Sequence, residues 1–167
     1  MKIILLLVMI DLICNVAFAD EFDSVKCNSD IPKALIGKKS GHGTVQSIEK
    51  KHLDIALKDL GAEGLAEDPY VTISWSICGN EYLFLIDNKI HKERISDIIE
   101  IPQEMSKLAR ALPGTPCVQN SKKITDDVYA ILEKDRKVKK AWRIDQRKLK
   151  FVSIPTINLS CESDSGN

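Results

Sequence analysis

The chain has 167 residues, and its 24 lysines and arginines are matched by 24 aspartates and glutamates, so its formal net charge is zero. A balance of this kind gives no global field for a polyanion, and nothing in it points to nucleic acid. Apolar residues make up 44% of the sequence, enough to bury a core, and one domain suits the length.

Residues 1–19 read as a signal peptide. Lys2 supplies a short positive start, Ile3 to Ile10 is an unbroken apolar run, and Ala17-Phe18-Ala19 has the small-x-small form that a leader peptidase cuts. The run is too short to span a bilayer. Residues 20–167 are then a single disulfide-bonded domain, exported to the periplasm or secreted, with no membrane span. Four cysteines follow the leader, Cys27, Cys78, Cys117 and Cys161, an even number as expected for two bridges. Their wide spacing does not suit a metal site, which brings ligands in close pairs. The favoured connectivity is Cys78–Cys117, tying a hairpin tip to a Pro-rich loop, and Cys27–Cys161, clasping the two ends.

Ile31 to Gly37 offers one or two helical turns, with Pro32 in the first and Gly37 at the end. Lys38 to Thr44 (KKSGHGT) is a loop; it lacks the spacing of a phosphate cradle, and His42 between two glycines reads as a solvated residue. Ser47 to Leu60 is the best helix of the sequence: Ser47 caps it, Leu53, Ala56, Leu57 and Leu60 form one stripe, and Gly61 ends it. An acidic loop runs from there to Pro69.

Tyr70 to Asp87 is the predicted centre of the core, two strand-like runs around Gly79-Asn80. A turn on that pair sets Trp75 opposite Phe84 and Ile73 opposite Ile86, and sorts Ile73, Trp75, Ile77, Tyr82, Phe84 and Ile86 onto one face. Beyond it, Ile95 to Ile101 is a third strand stopped by Pro102, and Gln103 to Leu112 a short helix. Pro113 to Pro116 is loop, and Thr125 to Lys134 a second main helix with the stripe Val128, Ile131, Leu132. Trp142 to Ile144 and Leu149 to Ile154 make a second hairpin. The expected fold class is α+β: a small antiparallel sheet from two β-hairpins, packed against two main helices and held by two disulfides.

The sequence contains neither G-x-S-x-G nor H-E-x-x-H, and its histidines, His42, His52 and His91, are far apart. No catalytic set, cofactor or metal is expected. Charge is segregated, however. Lys134 to Lys150 holds nine basic residues against Asp135 and Asp145, while Asp54 to Asp68 holds five acidic residues against Lys58. Local fields of this strength steer charged partners. The expected binding residues are Arg143, Arg147, Lys148, Lys139 and Lys140, with Trp142 to stack on the partner, itself a protein acidic at its contact surface. The expected function is an exported binding protein without chemistry of its own, an inhibitor or immunity-type protein that blocks a toxin or lytic enzyme. Two alternatives stand beside it: a secreted hydrolase using the acidic-loop carboxylates Asp54, Asp59, Glu63, Glu67 and Asp68 with His52, and a module binding an anionic polymer through the basic run. Asn158-Leu159-Ser160 also fits an N-glycosylation acceptor.

Overall fold

The computed structural model describes residues 19–41, 43–64, 69–89 and 93–163. Residues 1–18, on which the expected signal peptide falls, and also His42, Glu67, Asp68 and His91, lie outside the described residues. Within them the chain is mostly β, with eleven strands in three antiparallel sheets and a single helix of seven residues or more. That overturns the α+β expectation.

The N-terminal segment is irregular and helical. A 3-10 helix spans Glu21–Ser24, α1 spans Ile31–Leu35 and α2 spans Val45–Lys51. Asp30 caps α1 through Lys33 N at 3.0 Å, with Pro32 in its first turn, and the helix stops before Gly37. The first sheet follows: β1 (Lys58–Glu63), β2 (Tyr70–Ile77), β3 (Asn80–Asp87) and β4 (Arg94–Ile101), in spatial order β1-β2-β3-β4. The second sheet contains β5 (Ala109–Ala111), β8 (Val128–Leu132), β9 (Val138–Asp145) and β10 (Lys150–Ser153), in order β10-β9-β8-β5. A small third sheet has β6 (Cys117–Gln119) between β7 (Lys122–Lys123) and β11 (Leu159–Cys161).

These elements stack as four layers. Phe22, Leu35, Ile48 and Ile55 of the helical layer pack on Trp75, Ile77, Phe84 and Ile98 of the first sheet. The opposite face of the same sheet presents Leu83 and Leu85, which meet Tyr129, Ile131, Trp142 and Ile144 of the second sheet. The far face of the second sheet, with Val128, Ala130, Leu132 and Ala141, is covered by the third sheet and its disulfide.

The central hairpin is present, but its turn lies one residue earlier than expected. The loop is Cys78-Gly79, both at positive φ (54° and 83°), the backbone that a two-residue hairpin turn requires. Trp75 therefore pairs with Tyr82, Ile73 with Phe84 and Val71 with Ile86. Moving the turn by one residue changes each partner by two, which preserves the faces, so the apolar sorting survives while the opposed pairs change.

Both predicted main helices fail, for different reasons. The helix of Ser47–Leu60 ends at Lys51. Thr44, not Ser47, is its cap, and Ala56 takes a left-handed conformation (φ 47°) that turns the chain into β1. Leu57 is buried but Leu53 is 77% exposed, so the stripe never forms on one helix. Pairing of β1 with β2 claims Lys58 to Glu63, and Gly61 serves a β-bulge at φ 117°. The outer edge of β1 is blunted by its own neighbours: Asp59 N donates to Glu49 Oε1 at 2.8 Å and Gly61 N to Asp59 Oδ1 at 3.1 Å.

The stretch Thr125–Lys134 becomes β8, whose five residues are all buried. A strand covered on both faces has no alternation to read, and a short apolar run of this kind does not separate strand from helix. Gln103–Leu112 likewise becomes a 3-10 turn and β5. The third strand and the second hairpin form as expected, the hairpin with a longer first strand.

The disulfides are Cys27–Cys78 and Cys117–Cys161, correcting the expected Cys78–Cys117 and Cys27–Cys161. The ends do not meet: the N-terminal segment covers the first sheet and the C-terminal strand lies in the third, about two sheet spacings or 20 Å away. Each bridge fastens an outer layer instead. Cys27–Cys78 ties the helical layer to the hairpin turn, and Cys117 and Cys161 are directly opposed partners of β6 and β11. With separations of 51 and 44 residues, each stabilises the fold by about 4 kcal/mol in the chain-entropy model. A non-reducing peptide map should give one linked pair containing Cys27 with Cys78 and another containing Cys117 with Cys161; a Cys27–Cys161 peptide would contradict this layering.

Candidate functional sites

Three places concentrate polar groups: the β9–β10 tip, a cleft between the first two sheets, and a cluster under α2.

The tip begins at Asp145, which pairs with Lys150 across the hairpin. The four residues between them are drawn inward by one carboxylate oxygen: Asp145 Oδ1 accepts the N–H groups of Arg147 at 3.0 Å and Lys148 at 3.1 Å. The N–H of Lys148, joined by that of Arg147, holds the Asp145 carboxyl below its ordinary range. Gln146 donates through Nε2 to Asp127 Oδ2 at 3.0 Å, and the Tyr70 hydroxyl donates to the same oxygen, which moors the tip to the body of the protein. The side chains of Arg147 and Lys148 are exposed and form no salt bridge among the described residues, though the Lys148 charge acts on the Asp145 carboxylate. Arg143 lies one strand position pair away and is paired with Asp126 at 3.1 Å.

Only part of the expected basic surface is assembled here. Alternation along β9 turns Lys140, Trp142 and Ile144 toward the first sheet. Trp142 is buried, 6.1 Å from the Tyr129 ring, and so is not available to stack on a partner. Lys140 sits over the Trp142 ring with Nζ 5.0 Å from its centroid. Lys139 meets Glu133 at 3.9 Å at the other end of β9, among the exposed residues Lys134, Arg136 and Lys137. The eight residues of β9 span roughly 26 Å, so the basic run makes two separate ends rather than one patch.

The cleft opens where the β1 edge of the first sheet and the β5 edge of the second diverge, and it has a volume of about 420 Å³. Its floor is the ion pair of Glu81 with Arg110, at 3.1 Å, with both side chains largely buried. Arg110 also donates to the carbonyls of Met105 and Leu108. Tyr129 also lines the cleft. Thr72 and Ser74 line the other wall, and Leu60, Leu108 and Leu112 form an apolar lip. Sequence reading missed this site because its residues come from five strands and the turns flanking β5, joined only by the packing of two sheets.

The third cluster surrounds Asp20. Its carboxylate accepts from Phe22 N at 2.9 Å, from Lys51 Nζ at 3.0 Å and from His52 Nε2 at 2.7 Å. Burial works to raise the Asp20 carboxyl, but these donors outweigh it and hold the group below its ordinary range. Asp23 Oδ1 takes Lys51 Nζ at 2.6 Å. Asp20, Asp23 and His52 are close enough to ligate a metal ion, yet the Lys51 ammonium between the two carboxylates already supplies the cation. His52, the histidine of the hydrolase alternative, is buried against Phe22, ring centroids 5.8 Å apart, with Asp20 as its partner; Glu67 and Asp68 of that alternative lie outside the described residues. Next to Asp20, the buried Glu21 accepts from Ser40 and Gly41 through Oε1, and its Oε2 has no partner among the described residues.

No family model, curated protein or solved structure matches this chain. No helix among the described residues is long and apolar enough to cross a membrane. The class defined by fold and sites is thus a layered, mostly β protein with two disulfides, a moored basic tip and an open interlayer cleft.

Two outcomes follow from the cleft. Arg110→Ala should lower stability by about 2–3 kcal/mol in denaturant unfolding, because it leaves a largely buried carboxylate unpaired; Glu81→Gln combined with Arg110→Met should cost less than the single change. Burial also pushes the Tyr129 hydroxyl up to about 12. A group raised in the folded state contributes stability that is complete below its ordinary value near 10 and is lost as pH rises through the folded value. Stability should therefore fall above about pH 10, and Tyr129→Phe should flatten that fall in alkaline unfolding experiments.

Proposed function

We propose that this chain is an exported binding protein with no chemistry of its own, an inhibitor or immunity-type protein that blocks a toxin or lytic enzyme in the periplasm or outside the cell. The observation that carries the reading is the pre-ordered tip: one aspartate oxygen fixes the backbone of a turn whose two cations, Arg147 and Lys148, are exposed and form no salt bridge among the described residues. A turn already held in shape loses little conformational entropy on binding, and paired cations on a projecting turn fit an acidic recess of a partner protein. Arg143 belongs to the same contact at its margin, whereas Lys139 lies at the far end of β9, paired with Glu133. Two disulfides accord with an oxidising compartment, which is where the leader would deliver the chain.

An anionic polymer is less well served. Its charges would have to track along β9, where Asp126 offsets Arg143 and Asp145 lies between Arg143 and Arg147. A second reading rests on the cleft, whose hydroxyl and ion-pair floor and leucine lip suit a small polar ligand.

The test uses the partner captured by immobilised protein from the source culture. Reversing Arg147 and Lys148 to Glu should slow association by about tenfold at low salt, with the melting temperature nearly unchanged. An unchanged rate places the contact elsewhere. Ser74→Leu, which fills the cleft, should leave partner binding intact; if it abolishes binding while the tip variant does not, the cleft is the site.

A further inference from the structure

We propose that the bond between Ala19 and Asp20 is a processing site, and that the α-ammonium freed there is bound inside the fold by Asp23. The inference rests on the export reading, but its structural basis is separate from it. The boundary predicted by the small-x-small motif coincides with a change in burial: Ala19 is exposed and Asp20 is 7% exposed. The main-chain nitrogen of Asp20 already donates to Asp23 Oδ2 at 3.0 Å. The carboxylate of Asp20 is anchored by Phe22, Lys51 and His52, so the nitrogen is fixed in place from both sides.

Hydrolysis by a leader peptidase adds one water across this amide. Ala19 departs with a carboxylate, and the Asp20 nitrogen gains protons to become an ammonium. The hydrogen bond to Asp23 then becomes charge-assisted, with no rearrangement of the chain. Charge balance points the same way. Around this nitrogen, the Asp20 and Asp23 carboxylates share the single ammonium of Lys51, with the His52 ring against Asp20. The neighbouring Glu21 carboxylate accepts from Ser40 and Gly41 through Oε1 alone. A freed ammonium makes two lysine-type cations for two aspartates. Timing follows as well. A peptidase needs its substrate extended, whereas the folded chain buries Asp20 and bonds its carbonyl to Asp23 N at 3.4 Å. Cleavage therefore precedes docking of this segment.

The experiment compares two oxidised, refolded chains, one beginning at Asp20 and one carrying a short extension that ends in Ala19. The chain beginning at Asp20 should have an unfolding constant roughly five- to tenfold smaller at pH 7. The gap should close with Asp23→Asn, and should persist with Asp54→Asn, a change at an exposed carboxylate outside the cluster. Equal stability of the two chains, or a gap that survives Asp23→Asn, overturns the ammonium site. Intact mass of material exported from the full-length precursor tests the rest: a first residue other than Asp20 overturns the processing site, and a retained Met1 overturns the export reading on which it rests.

Discussion

Everything in this molecule depends on β3 being buried on both of its faces. Tyr82, Leu83, Phe84, Leu85 and Ile86 are five consecutive buried residues. Tyr82, Phe84 and Ile86 belong to the core beneath the helical layer, while Leu83 and Leu85 belong to the cores shared with the second sheet. Each fully buried side chain of this size stabilises the fold by about 1.5–3 kcal/mol. The strand therefore couples layers that would otherwise have little reason to stay together. The two disulfides act at the periphery of this arrangement, fastening the helical layer and the third sheet, the layers with the least regular structure.

The candidate sites follow from where layers stop touching. At the β4–β10 side the first two sheets are in contact, and Phe151 N even donates to Asp97 Oδ2 at 2.8 Å. At the β1–β5 side they diverge, and polar groups that close packing would have excluded, Ser74, Glu81 and Arg110, find room around a cleft. The β9–β10 tip is held by Asp145 and Asp127 together with Leu149, which packs against the core of Tyr70, Leu85 and Ile144, while its cations Arg147 and Lys148 stay exposed. A rigid backbone with solvated charges is a combination suited to recognition, because neither desolvation nor ordering of the turn opposes the first encounter.

Strands whose environment is one-sided, or whose turns carry a signal, were legible. The central hairpin, β4 and the β9–β10 hairpin are all in the sequence as apolar alternation bounded by turn or stop residues. The two disulfides were legible as an even count of widely spaced cysteines. Arg147 and Lys148 were identifiable as exposed charge in a turn, and the structure adds the aspartate that fixes their backbone. Trp142 was misassigned because a tryptophan within a basic run has the same appearance whether it faces a partner or the core, and only the strand's orientation separates the two. The cleft had no linear signature at all.

Composition, the leader motif, the even cysteines and the period-two hairpins are local properties, and the sequence determines them by itself. Tertiary structure alone decided that Val128–Leu132 is a strand, since a run covered on both faces loses its periodicity. It decided that Lys58–Glu63 leaves the helix, since pairing with β2 outcompeted intrinsic propensity. It also decided which cysteines meet, because bridging depends on which layer each segment covers and not on its distance along the chain.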